Sequence, residues 1–265
     1  MSGISVRSWI SSIADRGREL LDLPISTPQA PFDQLSTMCK DLVSQKGEAR
    51  GTALAREVVR LWENLPEADH LRFFQMMQND FSADRTKVTK AAEAFAKDPS
   101  ESNLATLTQA SEPARQELLR RINMAPGGTR AIVDMRETLI GLLKINRDLE
   151  PLNADMQHLL TSWFNRGFLE LRHIDWDTSA AVLEKLIRYE AVHEIKGWDD
   201  LRRRLATDRK CFAFFHPAIP DDPLIFVEVA LVHGLADSVQ ALLAPEIDEK
   251  APDTAKTAIF YSISN

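Results

Sequence analysis

Only two cysteines occur in the 265 residues. Cys39 and Cys211 stand far apart and suggest neither a disulfide framework nor a metal knuckle, so they are expected as buried thiols in a reducing cytosol. No stretch approaches the roughly 18 apolar residues that a membrane-spanning helix needs. The segment from Met1 to Leu23 contains an amphipathic-looking run, Ser8 to Leu23, but no continuous apolar region and no small-residue cleavage site. A secretory signal is therefore not expected. The last residues, Ser262-Ile263-Ser264-Asn265, match no retention or lipidation address. A basic excess is also missing: 32 lysines and arginines face 39 aspartates and glutamates, for a formal net charge of -7. That argues against a general nucleic-acid binder, which needs a basic face to displace counterions from phosphates. A small anionic ligand stays possible, since a pocket can be locally basic on an acidic protein. The expected setting is cytoplasmic, with no nucleic acid and no membrane among the partners.

What the chain does have is 44% hydrophobic and 27% charged residues, the balance of a globular protein large enough for one large or two ordinary domains. From about Phe32 to Phe164 the apolar spacing is helical almost throughout. Leu54, Val58, Leu61, Trp62 and Leu65 recur at threes and fours and share one face. Pro66 opens the next helix in its first turn, where a missing N–H costs nothing. Met76 and Met77 read as gap-filling core rather than a ligand surface. Asp98-Pro99-Ser100 breaks the pattern, Pro113 starts a helix through Leu118, Leu119 and Ile122, and a last helix spans Pro151 to about Phe164. Gly127-Gly128 before a helix could cradle a phosphate, but no strand precedes it and no Walker lysine follows, so a helix–helix turn is the simpler reading.

After Gly167 the period changes. Phe168 to Ile174 alternates as a strand does. Asp177-Thr178-Ser179 offers caps for a helix carrying Val182, Leu183, Leu186 and Ile187, and a second short helix runs from Trp198 to about Leu205. Cys211 to Phe215 is an aromatic-rich strand. The proline-bounded Pro217 to Pro223 leads into the strand Leu224 to Val232, giving an antiparallel hairpin with a longer loop. A polar spacer then precedes a final strand, Thr257 to Ser264. Strand, helix, helix, then three strands is the opening order of an acyltransferase-like mixed sheet of the N-acetyltransferase (GNAT) type. The expected fold class is thus α+β, an N-terminal all-helical bundle over 1–165 followed by a partial GNAT-like mixed α/β sheet over 166–265.

Several segments, in order over nearly the whole chain, resemble the malonyl-CoA decarboxylase family. The strongest are Cys211-Phe212-Ala213-Phe214-Phe215-His216-Pro217, Pro220-Asp221-Asp222-Pro223-Leu224, Val227-Glu228-Val229-Ala230-Leu231 and Thr257-Ala258-Ile259-Phe260-Tyr261-Ser262-Ile263-Ser264. Ile122-Asn123-Met124-Ala125-Pro126-Gly127-Gly128-Thr129, Trp163-Phe164-Asn165-Arg166-Gly167-Phe168-Leu169 and Tyr189-Glu190-Ala191-Val192-His193 support them. The resemblance implies a helical self-association domain ahead of a GNAT-like catalytic domain, hence a homo-oligomer. It implies a carboxy-lyase that turns malonyl-CoA into acetyl-CoA and carbon dioxide, with no cofactor and no metal. In the family a serine in a Ser-Pro-Ile-Pro-Gly segment and a histidine in an Asn-Pro-x-Ala-x-Phe-His segment act on the substrate, both after a coenzyme A pyrophosphate loop. Neither segment occurs in these 265 residues. The expectation is a chain cut before that loop, with no catalytic residue of its own and inactive alone. A non-enzymatic alternative is an association module that pairs with full-length subunits or a complementing chain.

Individual residues carry open readings. His216, at a strand end before Pro217, could reach a ligand or stabilise the turn. Glu228, in an apolar strand, could be a buried acid with a raised pKa, face solvent, or pair with an arginine. Arg202-Arg203-Arg204 could meet coenzyme A phosphates or form a charged helix face. Ser262 and Ser264 share one face of the last strand, close to where the family's fold holds the acyl-thioester, and are the expected substrate contacts. A half-covered sheet should leave apolar surface exposed and make the C-terminal half marginal in stability.

Overall fold

A computed structural model describes residues 30–44 and 48–264. The amphipathic run Ser8 to Leu23 lies outside them. The chain divides into two compact units, Met1–Leu159 and Leu160–Asn265.

The first unit is helical, and its helices form where the sequence puts apolar residues on one stripe. In α1 (Pro31–Ser44) the buried side chains are Phe32, Leu35, Met38, Cys39 and Leu42. Helix α2 (Glu48–Glu63) buries Leu54, Ala55, Val58, Val59, Leu61 and Trp62, and α3 (Glu67–Asp80) buries Phe73, Phe74, Met76 and Met77. Trp62 gathers the aromatic part of this core, with ring centroids 4.8 Å from His70, 5.0 Å from Phe73 and 5.6 Å from Phe74. Pro66 stands at the N-cap of α3, one residue ahead of the expected first turn.

Helices α4 (Arg85–Lys97) and α5 (Glu101–Ser111) are separated by Asp98-Pro99-Ser100, and each is capped by a side chain. Asp84 accepts from the amides of Thr86 and Lys87, and Ser100 accepts from that of Asn103. Both are nearly all exposed, Ala91 being the one buried side chain of α4 and α5 burying none. Pro113 caps α6 (Ala114–Asn123), whose buried Arg115 is held by Asp155 of α8 (Glu150–Trp163) at 2.6 Å. Helix α7 (Gly128–Leu143) starts on the double glycine. Gly127 has φ +78°, a left-handed conformation that favours glycine. A Cβ at Gly128 would lie 1.9 Å from the Ile122 carbonyl oxygen, so α6 and α7 meet here backbone to backbone. The pair makes a helix–helix turn.

The second unit contains one antiparallel sheet of β1 (Glu170–Ile174), β2 (Arg209–His216), β3 (Ile219–Val232) and β4 (Thr257–Ser264), in that spatial order. Every pairing among the described residues is antiparallel, so no parallel neighbour makes this sheet mixed. The turn between β2 and β3 is only Pro217-Ala218, shorter than the loop expected from the proline pattern, because β3 starts at Ile219 and accommodates Pro220 and Pro223 within the strand. Register shifts around Phe215 absorb those prolines, which lack an N–H for the ladder. The polar spacer before β4 holds two short helices, α11 (Val239–Leu243) and α12 (Ala251–Thr254).

Helices α9 (Ala180–Tyr189) and α10 (Trp198–Arg204) cover the inner face of the sheet. Val182, Leu183 and Leu186 of α9 and Leu201 of α10 pack with Ile195 onto Ile174, Cys211, Ala213, Phe215 and Phe226. Rows run straight across all four strands: Ile174, Cys211, Glu228 and Ser262 in one, Arg172, Ala213, Phe226 and Ser264 in the next. The inner face therefore turns from apolar to polar as it reaches β4. One irregularity sets that polarity. Phe260 pairs with Val229 and Ser262 with Glu228, so Tyr261 has no opposite residue and forms a β-bulge. Ile259 is half-buried and Tyr261 buried ahead of the slip; after it Ser262 and Ser264 point inward, while Ile263 is 61% exposed. Phe260 at 66% and Leu171 at 58% are exposed as well.

Candidate functional site

The polar end of the inner face is a buried charge network built from four elements. Glu190, just past the end of α9, is its acceptor hub. Its Oε1 accepts from the amides of Val192 at 2.8 Å and His193 at 2.7 Å and from the Ser262 hydroxyl at 2.9 Å. Its Oε2 accepts from the Ser264 hydroxyl at 2.9 Å, and the Ala191 amide donates to Ser264 Oγ at 3.4 Å. Burial works to raise the pKa of this carboxyl, but the donors, His193 N–H first, outweigh it and hold the group below its ordinary value.

One strand in from β4, Glu228 of β3 meets Arg204 of α10 at 2.5 Å, each side chain only 2% exposed. Arg204 also donates to the carbonyls of His193 at 2.7 Å and Glu194 at 3.4 Å. Burial pushes the Glu228 carboxyl up to about 7 against the pull of the Arg204 guanidinium. Tyr261 brings a buried hydroxyl, without a hydrogen bond of ordinary geometry, into the field of this pair. Burial first and the Glu228 charge second push that phenol upward. Cys211, opposite Glu228 in the ladder, is likewise pushed upward by burial and the nearby carboxylates, so it is held as a thiol.

A second network ties the β3–β4 connection to the sheet. Asp208 receives Arg203 at 2.8 and 3.1 Å and Arg209 at 2.8 Å, and Arg203 reaches the carbonyls of Ala244 and Glu246. The three consecutive arginines of α10 thus point three ways, since helix neighbours are about 100° apart. Arg202 lies in solvent, Arg203 holds Asp208 and Arg204 holds Glu228. Neither a phosphate clamp nor a single charged face results.

His216 accepts from the Ala218 amide through Nδ1 at 3.1 Å, and its ring lies 4.7 Å from that of Phe164, which makes it a turn-stabilising side chain. Glu228 is both buried and arginine-paired. Ser262 and Ser264, the expected substrate contacts, are brought together, but both are buried with their hydroxyls directed at Glu190. Glu190 itself went unnoticed in the sequence, where its only mark is membership of the Tyr189 to His193 segment. Among the described residues no group of three or more His, Cys, Asp or Glu side chains could hold a metal ion.

Helices followed by an antiparallel sheet that two helices back across a buried carboxylate network define an α+β protein with a helical unit ahead of a sheet unit. Comparison with known proteins gives that class a family. The sequence profile of the malonyl-CoA decarboxylase N-terminal domain matches residues 81–164, and that of the malonyl-CoA decarboxylase C-terminal domain matches residues 167–265. The mitochondrial malonyl-CoA decarboxylase of Anser anser anser is 33% identical over 274 residues, covering 97% of this chain and 53% of its own. The crystal structure of malonyl-CoA decarboxylase from Rhodopseudomonas palustris is 47% identical with a TM-score of 0.81, covering 90% of this chain and 58% of its own. That from Agrobacterium vitis is 49% identical, also at 0.81, covering 88% and 56%. The chain belongs to the malonyl-CoA decarboxylase family. It spans about half the length of the curated relative matched over nearly all of it.

Proposed function

We propose that this chain supplies the helical unit and the opening part of a GNAT-like catalytic unit of a malonyl-CoA decarboxylase, a carboxy-lyase that releases carbon dioxide from malonyl-CoA. The observation that carries the reading is the consecutive match of both family domains, in order, at nearly half identity to solved decarboxylases. Loss of carbon dioxide leaves charge on the thioester oxygen, which needs donors aimed at that oxygen, and the resulting carbon needs a proton. The resemblance assigns those tasks to a serine and a histidine in segments these 265 residues do not contain. No cofactor is required by that chemistry. On this reading the chain is inactive alone, and Ser262 and Ser264 touch the acyl-thioester only if a hydroxyl leaves Glu190. Their effect on the site then runs through the carboxylate they hold.

The runner-up reading is an association module, and the exposed Leu171, Phe260 and Ile263 on the sheet favour it. Self-association through the helical unit belongs to both readings, as does a cytoplasmic setting, in keeping with the free, buried thiols of Cys39 and Cys211. Among the described residues no helix is long and apolar enough to cross a membrane. The test is carbon dioxide release from labelled malonyl-CoA by the chain alone and by the chain co-expressed with the C-terminal remainder of the Rhodopseudomonas palustris enzyme. Activity is expected only in the second case. A complex that co-elutes in size-exclusion chromatography yet releases nothing would leave the association reading standing and end the enzymatic one.

A further inference from the structure

The segment between α9 and α10 is fastened from both sides. Its amides at Val192 and His193 point into the Glu190 carboxylate, and its carbonyls at His193 and Glu194 receive Arg204. Glu190 in turn grips the two inward hydroxyls of β4, and Arg204 grips Glu228 of β3. The same segment contains Gly197 at φ +128°, a backbone that other residues adopt only under strain. Its apolar anchor is Ile195, packed into the inner core, while Val192 nearer α9 is 52% exposed. Both serine hydroxyls donate to Glu190.

We propose that Glu190 is a positioning residue that locks the α9–α10 segment to the end of β4, with Ser262 and Ser264 acting as its ligands. One carboxylate oxygen serves three donors and the other serves one, so the two oxygens are not equivalent. An amide in place of the carboxylate can keep its oxygen on the Val192, His193 and Ser262 side. Its NH2 then donates to Ser264 Oγ, because a hydroxyl can accept as well as donate. Glutamine should therefore preserve the lock without the charge, whereas alanine removes it. A role that needs the charge would leave both variants loose, and a role in filling volume would leave the Ser262→Ala/Ser264→Ala double variant protected, since Glu190 itself is intact there. The consequence for catalysis rests on the decarboxylase reading: in an assembled enzyme, the lock sets where β4 and its neighbours stand relative to the substrate.

The experiment is residue-resolved hydrogen exchange on the full chain. Glu190→Ala should speed exchange at Val192, His193 and the last residues of β4 by roughly ten- to hundredfold, with the β1–β2 ladder unchanged. Glu190→Gln should restore most of the protection. Should Glu190→Ala fail to fold, the Ser262→Ala/Ser264→Ala double variant carries the same test, with faster exchange expected at the segment amides. Unchanged protection in the alanine variants, or a glutamine variant as loose as alanine, would overturn the proposal. In the complemented enzyme Glu190→Ala should lower kcat by about 10- to 100-fold with a smaller effect on KM, and Glu190→Gln should recover it. A wild-type assembly that releases no carbon dioxide ends the decarboxylase reading, and the exchange rates then decide the positioning role by themselves.

Discussion

Replacing Arg204 by methionine leaves Glu228 as a lone carboxylate in a site where both side chains are 2% exposed. Removing one partner of a buried pair typically costs about 3–5 kcal/mol, because the other charge stays desolvated. Two further bonds, to the carbonyls of His193 and Glu194, go with it, at about 1 kcal/mol each. The sheet unit of Arg204→Met should thus lose roughly 5–7 kcal/mol in urea unfolding followed by tryptophan fluorescence. The double variant Arg204→Met/Glu228→Leu should recover most of that loss, since an apolar pair of similar volume needs no desolvated charge. The pH dependence adds a second signature. The folded Glu228 carboxyl stands at about 7, above its ordinary value of 4.5, so the folded state holds its proton more tightly than the unfolded chain. Its contribution to stability is present below about pH 4.5, declines as pH rises to about 7 and is flat beyond. Without Arg204, which pulls that value down, the decline should continue above pH 7 at up to about 1.4 kcal/mol per unit. A single-variant cost below about 1 kcal/mol, or a pH curve parallel to wild type between pH 7 and 9, would refute the reasoning.

Other expected outcomes are simpler. Gly128→Ala should destabilise the helical unit by about 3 kcal/mol or more in thermal melts at 222 nm, because its Cβ meets the Ile122 carbonyl. Gly127→Ala should cost only about 1–2 kcal/mol, the cost of a left-handed alanine with open space around it. Cys39, pushed up to about 12 by burial, and Cys211, pushed upward for the same reason, should both ignore a thiol reagent in the native protein. Both should titrate once the chain is unfolded in denaturant; a native-state reaction with Cys211 would mean that the sheet's inner face opens. His216→Ala should cost about 1 kcal/mol through the Ala218 bond, measured as a shift in the urea midpoint.

Much of the framework was legible because single-face periodicity is a local property. The stripes of α1 to α3, the proline starts and the start of α9 at Ser179, which stands at the N-cap without a side-chain cap bond, all lie within a few residues of the elements they define. The double glycine was readable as a turn for the same reason. The site was not, because it is made by residues far apart in sequence. Glu190 and Ser264 are separated by 74 positions, and nothing near Glu190 distinguishes it from a solvent-facing helix end. The arginine triplet misled through adjacency: side by side in sequence means fanned out on a helix. Pro217 to Pro223 looked like a loop, since prolines usually interrupt ladders, but the register shifts opposite Phe215 let β3 begin among them. The strand Thr257 to Ser264 was found, and its two serines do share a face. Strict alternation, however, would have grouped Tyr261 with Ile263 and kept the serines opposite both; the bulge buries Tyr261 and the serines together and turns Ile263 outward.

That bulge also sets which changes of length the strand can absorb. Deleting Tyr261 would leave Ile259, Ser262 and Ser264 facing in and Phe260 and Ile263 facing out, the arrangement the neighbours already accept. Deleting Ile263 instead would bring Ser264 to the outward position and take one ligand from Glu190. One residue of β4 is therefore spare in the reading frame of the sheet while its near neighbour is not: in a deletion scan, loss of Tyr261 should keep both serines on Glu190 and cost only the buried ring beside Ala230 and Leu242, whereas loss of Ile263 should break the register.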